Sequence, residues 1–123
     1  MSEPTVKLEL NGNVAVVTLN RPDNANVLNI AMGRELLAVA NQCRANKQVR
    51  AVVLTGAGKH FCFGGDLRGM MSEGGAVDAY LLELTSHINQ AIAIFVSMDA
   101  PVIAAVNGTV AGGGVGLMSM ADL

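Results

Sequence analysis

NGTVAGGGVGL, residues Asn107 to Leu117, follows a short apolar run from Pro101 to Val106 and leads into apolar residues ending near Leu123. The order reads as strand, turn, glycine-rich entry, helix. Gly112, Gly113 and Gly114 carry no side chain, so a ligand can approach their backbone N–H groups closely. The first N–H groups of a helix lack intrahelical acceptors and sit at the positive end of its dipole. A glycine-rich helix start therefore offers preorganised donors to a negative oxygen. The same three glycines also suit a tight turn or close packing, and this stretch alone does not separate the two readings.

A second glycine-rich stretch lies upstream. Ala51 to Leu54 is wholly apolar, as in a strand covered on both faces. Thr55 to Arg68, TGAGKHFCFGGDLR, then opens and closes with glycines and holds unusual polar residues. It reads as a long functional loop entering a short helix near Asp66, which is placed to cap it. Gly74-Gly75 marks a further break. The clearest helix runs from Val77 to Met98, with Val77, Leu81, Leu84, Ile88, Ile92 and Phe95 as one apolar stripe. Asp78, Glu83, His87 and Gln90 fall off it, so His87 is expected to face solvent. Ala100-Pro101 ends this helix, because proline disfavours helix before itself.

Toward the N-terminus, Val6, Leu8 and Leu10 alternate with Lys7 and Glu9, and Val14 to Leu19 follows after Asn11-Gly12, a hairpin signal. Asn20 to Asn24 is loop. From Ile30 to about Asn46 the spacing is helical, with Met32, Leu36, Val39, Ala40 and Cys43 facing a core. Strands alternating with helices indicate a layered α/β fold. No internal repeat, low-complexity tract or linker divides it.

At 123 residues, with 51% of them hydrophobic and 15% charged, the chain fits one folded domain with a real core. A net charge of −2, scattered Lys and Arg and no Trp give no footprint for nucleic acid. Cys43 and Cys62 form no metal spacing or C-x-x-C pair, and reduced thiols in a cytoplasmic protein are expected. The start, MSEPTVKLEL, has no secretory signal pattern. Ala100 to Ala121 carries no charge and is long enough to span a bilayer. Asn107-Gly108, the glycine cluster and the lack of flanking Lys or Arg argue instead for a buried strand and helix, so no membrane partner is expected.

Two glycine loops after two apolar strands, with their flanking residues, resemble the enoyl-CoA hydratase/isomerase, or crotonase, superfamily. Val14 to Pro22 is similar to the family's first hairpin strand and loop. Asn26-Val27-Leu28-Asn29 is similar to its N-A-L-N, with Val27 replacing Ala. Val49 to Gly56, Phe61 to Leu67 and Pro101 to Gly114 supply the remaining blocks, in order and at suitable spacing. The resemblance implies a spiral of ββα units and binding of acyl-CoA thioesters, whose enolate the site stabilises. By motif, it implies the backbone N–H groups of Gly65 and Gly113 as oxyanion donors. It implies Gly64, Asn26, Val27 and Leu28 beside the coenzyme A moiety, and Arg68 on one of its phosphates, with Arg21 and Lys59 as weaker phosphate candidates. No metal and no tightly bound cofactor are implied; coenzyme A enters as part of the substrate.

Two departures shape the expected chemistry. Hydratases of the family carry Glu two residues after the glycine triplet, and this sequence has Gly116, which cannot transfer a proton. Hydration uses two carboxylates, whereas shuttling one proton across an allylic enolate needs a single base. Double-bond isomerisation of an enoyl-CoA is therefore expected ahead of hydration, with a catalytically incomplete acyl-CoA-binding fragment as the other reading. The chain is also about half the family's length. It is expected to be the N-terminal part of a crotonase-like domain, a truncated spiral that is inactive alone and exposes apolar surface. The family's trimers or hexamers imply a homo-oligomer for a full-length parent.

Overall fold

The computed structural model describes residues 3–72 and 76–123. The Gly74-Gly75 break lies outside the described residues. The N-terminal hairpin pairs β1 (Val6–Asn11) antiparallel with β2 (Val14–Leu19), and Gly12 takes the left-handed φ of 61° that an Asn-Gly turn requires. Next, α1 (Ile30–Ala45) starts at Asn29, whose side chain caps it by accepting from the Met32 N–H at 2.8 Å. β3 (Ala51–Gly56) lies parallel to β2, and β5 (Val102–Ala105) lies parallel to β3, giving the order β1-β2-β3-β5.

A second, smaller sheet was not foreseen. The stretch expected to be all loop contains β4 (His60–Cys62), which pairs parallel with β6 (Thr109–Val110). Three-residue and two-residue strands are too short to leave a periodic pattern. An isolated bridge, Leu28 with Gly65, adds the first part of the chain to this layer. The molecule therefore makes three successive turns, each crossing the large sheet and then the small layer before entering a helix. The first leads into α1, the second into α2 (Leu67–Met71) and α3 (Val77–Ser97), and the third into α4 (Gly113–Ser119). The repeat is one of path, not of sequence, which is why the residues do not display it.

Two asparagines stitch these turns together. Asn26 is fully buried; its Nδ2 donates to the carbonyls of Ala57 and His60 at 3.0 and 2.8 Å, and its Oδ1 accepts from the Arg21 N–H at 2.7 Å. From the other side, Asn107 Nδ2 donates to the carbonyls of Gly58 and His60 at 3.0 and 3.3 Å, and its Oδ1 accepts from the Gly56 N–H. Both ends of the β3–β4 connection are thereby held. Gly108 is dictated by the same approach, since a Cβ there would lie 1.9 Å from the Lys59 carbonyl oxygen.

The core joins Ala15, Val17, Leu19, Val52, Leu54 and Val102 of the sheet to Met32, Leu36, Val39, Ala40 and Cys43 of α1 and to the inner face of α3. Two expectations need correction. β3 buries one face only: Val52 and Leu54 are inaccessible, while Ala51 and Val53 are half-open. On α3 the buried stripe is Tyr80, Leu84, Ile88, Ala91 and Phe95; Leu81 is exposed, and His87 is turned toward α1 rather than solvent. The reason is Gly33, whose missing side chain lets α3 approach until the His87 Cβ stands 3.2 Å from where a Gly33 Cβ would be. Both ring nitrogens of His87 are shielded, with Glu83 Oε2 3.5 Å from Nε2. At the far edge of the sheet, the Leu123 carbonyl accepts from the Ala104 N–H and the Asp122 N–H donates to Val102, so the chain ends alongside β5. Among the described residues no helix is long and apolar enough to cross a membrane.

Candidate active site

The small layer sets the geometry of both glycine loops. β4 and β6 run parallel, so the residues that leave their C-terminal ends emerge side by side. The Ala111 N–H donates to the Cys62 carbonyl at 3.0 Å, the last bond of that pairing. Beyond it, Gly64 lies against the start of α4: a Cβ on Gly64 would stand 2.8 Å from the Gly113 nitrogen and 3.2 Å from the Gly112 Cα. Gly64 and Gly112 both have left-handed φ, 91° and 53°, which only glycine adopts cheaply. The two loops, some fifty residues apart in sequence, are in backbone contact.

The direction of the Gly65 N–H follows from its bridge to Leu28. In that parallel pairing Leu28 makes both bonds, its N–H donating to the Gly64 carbonyl at 2.6 Å and its carbonyl accepting from the Asp66 N–H at 2.9 Å. The peptide groups of Gly65 itself therefore point away from Leu28. The Gly65 N–H has no acceptor among the described residues, and neither does the Gly113 N–H at the first position of α4. With seven residues α4 has a modest dipole, so directed N–H groups rather than the helix field are what this place offers an anion.

The glycine triplet resolves into three different causes. Gly112 is required by its φ. Gly114 is required by packing, since a Cβ would lie 2.3 Å from the Cys62 carbonyl oxygen. Gly113 is required by neither: its Cβ position would meet Leu28 Cδ1 at 3.4 Å and the Gly64 Cα at 3.8 Å, both ordinary contacts. Gly65 is similar, for only the mobile end of Met70 would need to move.

Beside Gly65 opens a cleft of about 320 Å³ lined by Asp23, Asn24, Val27, Phe63, Gly65, Asp66, Leu67 and Arg68. Of the expected coenzyme A neighbours, Val27 and Arg68 line it, and Arg68 is exposed. Leu28 is buried beneath, against Gly113. The Asn26 side chain is wholly committed to the turn stitch described above, so it has nothing to offer a ligand. Arg21, a weaker phosphate candidate, also turns inward, to Val27 and Asp66. Lys59 is exposed and does not line the cleft. As expected, Asp66 caps α2, its Oδ1 accepting from the Gly69 N–H at 3.0 Å. A larger cleft of about 490 Å³ lies at the C-terminal ends of α1 and α3, between Arg44, Lys47 and Asp99, away from both glycine loops.

Burial pushes the Cys62 thiol up, opposed by a hydrogen bond from the Gly64 backbone N–H, and burial alone pushes Cys43 up. Neither is a poised nucleophile. The His60 ring packs on Phe63 with centroids 4.5 Å apart, and its Nδ1 is buried without a partner among the described residues. The inward use of Arg21 and the stitching by Asn26 and Asn107 were not read from the sequence; Asn-Gly and Asn-Arg-Pro announce turns but not what their side chains reach.

The model of the enoyl-CoA hydratase/isomerase family matches residues 9–123. The chain belongs to that family. Within the enoyl-CoA hydratase/isomerase family it is 43% identical, over all 123 residues, to a Rhodobacter capsulatus protein named "Probable enoyl-CoA hydratase", of which it covers 46%. It is 37% identical over 115 residues to the mitochondrial Delta(3,5)-Delta(2,4)-dienoyl-CoA isomerase of Mus musculus, covering 87% of this chain and 35% of that one. A solved Mycobacterium smegmatis enoyl-CoA hydratase superposes with a TM-score of 0.90 at 34% identity, over 98% of this chain and 47% of that one. The chain thus spans less than half the length of these relatives, and the crotonase-like α/β fold expected from the glycine loops is the one they share.

Proposed function

We propose that this chain binds an acyl-CoA thioester and stabilises its enolate between the Gly65 and Gly113 N–H groups. The observation carrying this is that two amides without an acceptor among the described residues sit on loops in backbone contact, in a chain belonging to an enoyl-CoA hydratase/isomerase family. At Gly113 neither backbone conformation nor packing explains the missing side chain. A thioester oxygen approaching the N–H groups closely would. One such donor contributes about 2.7–4 kcal/mol to a transition state. The cleft beside Gly65 would receive the coenzyme A moiety, with Val27 and Leu28 providing backbone and Arg68 a guanidinium for phosphate.

Isomerisation of the double bond is the favoured chemistry. A Cβ at Gly116 would meet nothing within 4 Å, so space for an acid is present and the acid is not. Relatives named as hydratase and as isomerase both match, so residue 116 rather than kinship supports the choice. Binding without turnover is the second reading, because Asp66, the cleft carboxylate next to Gly65, is committed to capping and to Arg21. Assembly into a homo-oligomer belongs to the same proposal. Incubation with 3-enoyl- and 2-enoyl-CoA tests it. Interconversion of the two without hydrate supports isomerisation; saturable binding without product supports the second reading; no binding refutes both.

A further inference from the structure

We infer that Arg21 is a positioning residue that ties the two walls of the cleft together and so fixes the aim of the Gly65 N–H, an inference resting on the oxyanion role proposed for Gly65. One wall carries Asp23, Asn24 and Val27; the other is the segment from Gly65 to Arg68. Arg21 bonds to both. Its Nη1 donates to the Val27 carbonyl at 2.7 Å, and Nη1 and Nη2 each stand 3.4 Å from Asp66 Oδ2.

Asp66 directly follows Gly65 and is itself held from three directions. Its Oδ2 faces the guanidinium, its Oδ1 accepts from Gly69, and its N–H donates to Leu28. The Gly65 N–H itself lies in the preceding peptide, whose Gly64 carbonyl accepts from the Leu28 N–H at 2.6 Å. That Leu28 N–H shares a peptide with the Val27 carbonyl held by Arg21, so both peptides flanking Gly65 have little freedom to swing. The backbone of Arg21 is equally fixed: its N–H donates to Asn26 Oδ1, and its carbonyl accepts from the Asn24 and Asn26 N–H groups, both at 2.9 Å. Both charged side chains are only 16% exposed, so solvent screens the pair little. A planar guanidinium reaches a carbonyl and a carboxylate at once, which a lysine ammonium on a flexible stem does not do in one fixed geometry. An oxyanion donor needs this kind of support, because its usefulness depends on placement to a fraction of an ångström.

A β-ketoacyl-CoA tests the inference, because its enolate absorbs in the near ultraviolet and one probe then reports both affinity and enolate stabilisation. Wild type, Arg21→Lys, Asp66→Asn and Val39→Ala, a core variant on α1, are each saturated with it. Asp66→Asn keeps an Oδ1 acceptor for the cap and serves where Arg21→Lys fails to fold. The bound enolate absorbance is expected to fall about tenfold in the Arg21 and Asp66 variants and to stay unchanged in Val39→Ala. Equal absorbance at saturation in all the folded proteins, whatever their thermal midpoints, overturns the positioning role. A wild-type chain showing no enolate band overturns instead the oxyanion role of Gly65 on which it rests.

Discussion

Single glycines carry separable duties, and substitution by alanine distinguishes them. Gly114→Ala places a methyl group 2.3 Å from the Cys62 carbonyl oxygen, a backbone atom that cannot step aside. It is expected to cost about 1–3 kcal/mol or more in urea unfolding. Gly113→Ala makes only ordinary contacts, with Leu28 Cδ1 at 3.4 Å and the Gly64 Cα at 3.8 Å, and is expected to stay within about 0.5 kcal/mol of wild type. Equal losses at the two positions would show that packing accounts for both.

The two thiols give a prediction about pH. Their folded pKa values are raised, so the folded chain keeps its protons after the unfolded chain has lost them. That stabilisation is complete below the unfolded thiol value of about 8.5 and is lost as pH climbs toward the folded values. Urea midpoints should fall from about pH 8.5 upward, and a Cys43→Ala, Cys62→Ala double variant, though less stable, should show a shallower fall. An identical slope in both proteins would mean that the thiols do not contribute. At this scale the sequence declared which glycines to watch, but not why each is glycine. Gly114 owes its identity to Cys62, and Gly64 to Gly113, neighbours that only folding brings near.

The elements were legible where they are long. α1 and its core face follow from Met32, Leu36, Val39, Ala40 and Cys43 at helical spacing, all of which are buried. α3 was placed correctly in the chain, and Leu84, Ile88 and Phe95 of its expected stripe are buried, but Leu81 is exposed and Tyr80 and Ala91 are buried instead. A stripe through Val77 and Leu81 scores well on hydropathy because Leu81 and Leu82 are apolar, yet the buried face runs through Tyr80, Leu84, Ile88 and Ala91, with Leu84 and Ile88 against Gly33 of α1. Nothing local records the notch at Gly33 that selects this face. Leu84→Ala is therefore expected to cost about 2–5 kcal/mol and Leu81→Ala well under half as much, measured as chemical unfolding at neutral pH. The reverse order would put Leu81 rather than Leu84 in the core. β4 and β6 were invisible for a different reason: their identity comes from pairing across the turns, with two to three residues each, and not from their own composition.

At the scale of the whole molecule, the accessible surface is 6733 Å², against about 6,200 Å² for a compact monomer of this mass. The excess is under a tenth, so the three turns close on a genuine core. Several large apolar side chains remain outside: Leu67, Met71, Leu82 and Leu123 are all more than two-thirds exposed. Such surface favours assembly, and sedimentation at increasing concentration is expected to show species heavier than the 12.7 kDa monomer. A single monomeric boundary throughout would argue that this surface is tolerated in water. The fold class and the pairing of two glycine loops could be anticipated because motif order survives without coordinates. The cleft walls and the Arg21 tie could not, because they join residues whose separation in sequence says nothing of their contact.

The Gly65 and Gly113 amide protons report oxyanion binding directly. With glycine-selective ¹⁵N labelling, the Gly65 and Gly113 resonances can be assigned among the chain's 14 glycines and followed as a β-ketoacyl-CoA is added. Downfield movement of both amide protons along one common saturation curve is the expected result. Saturation that shifts other residues while leaving either of these two protons in place would contradict it.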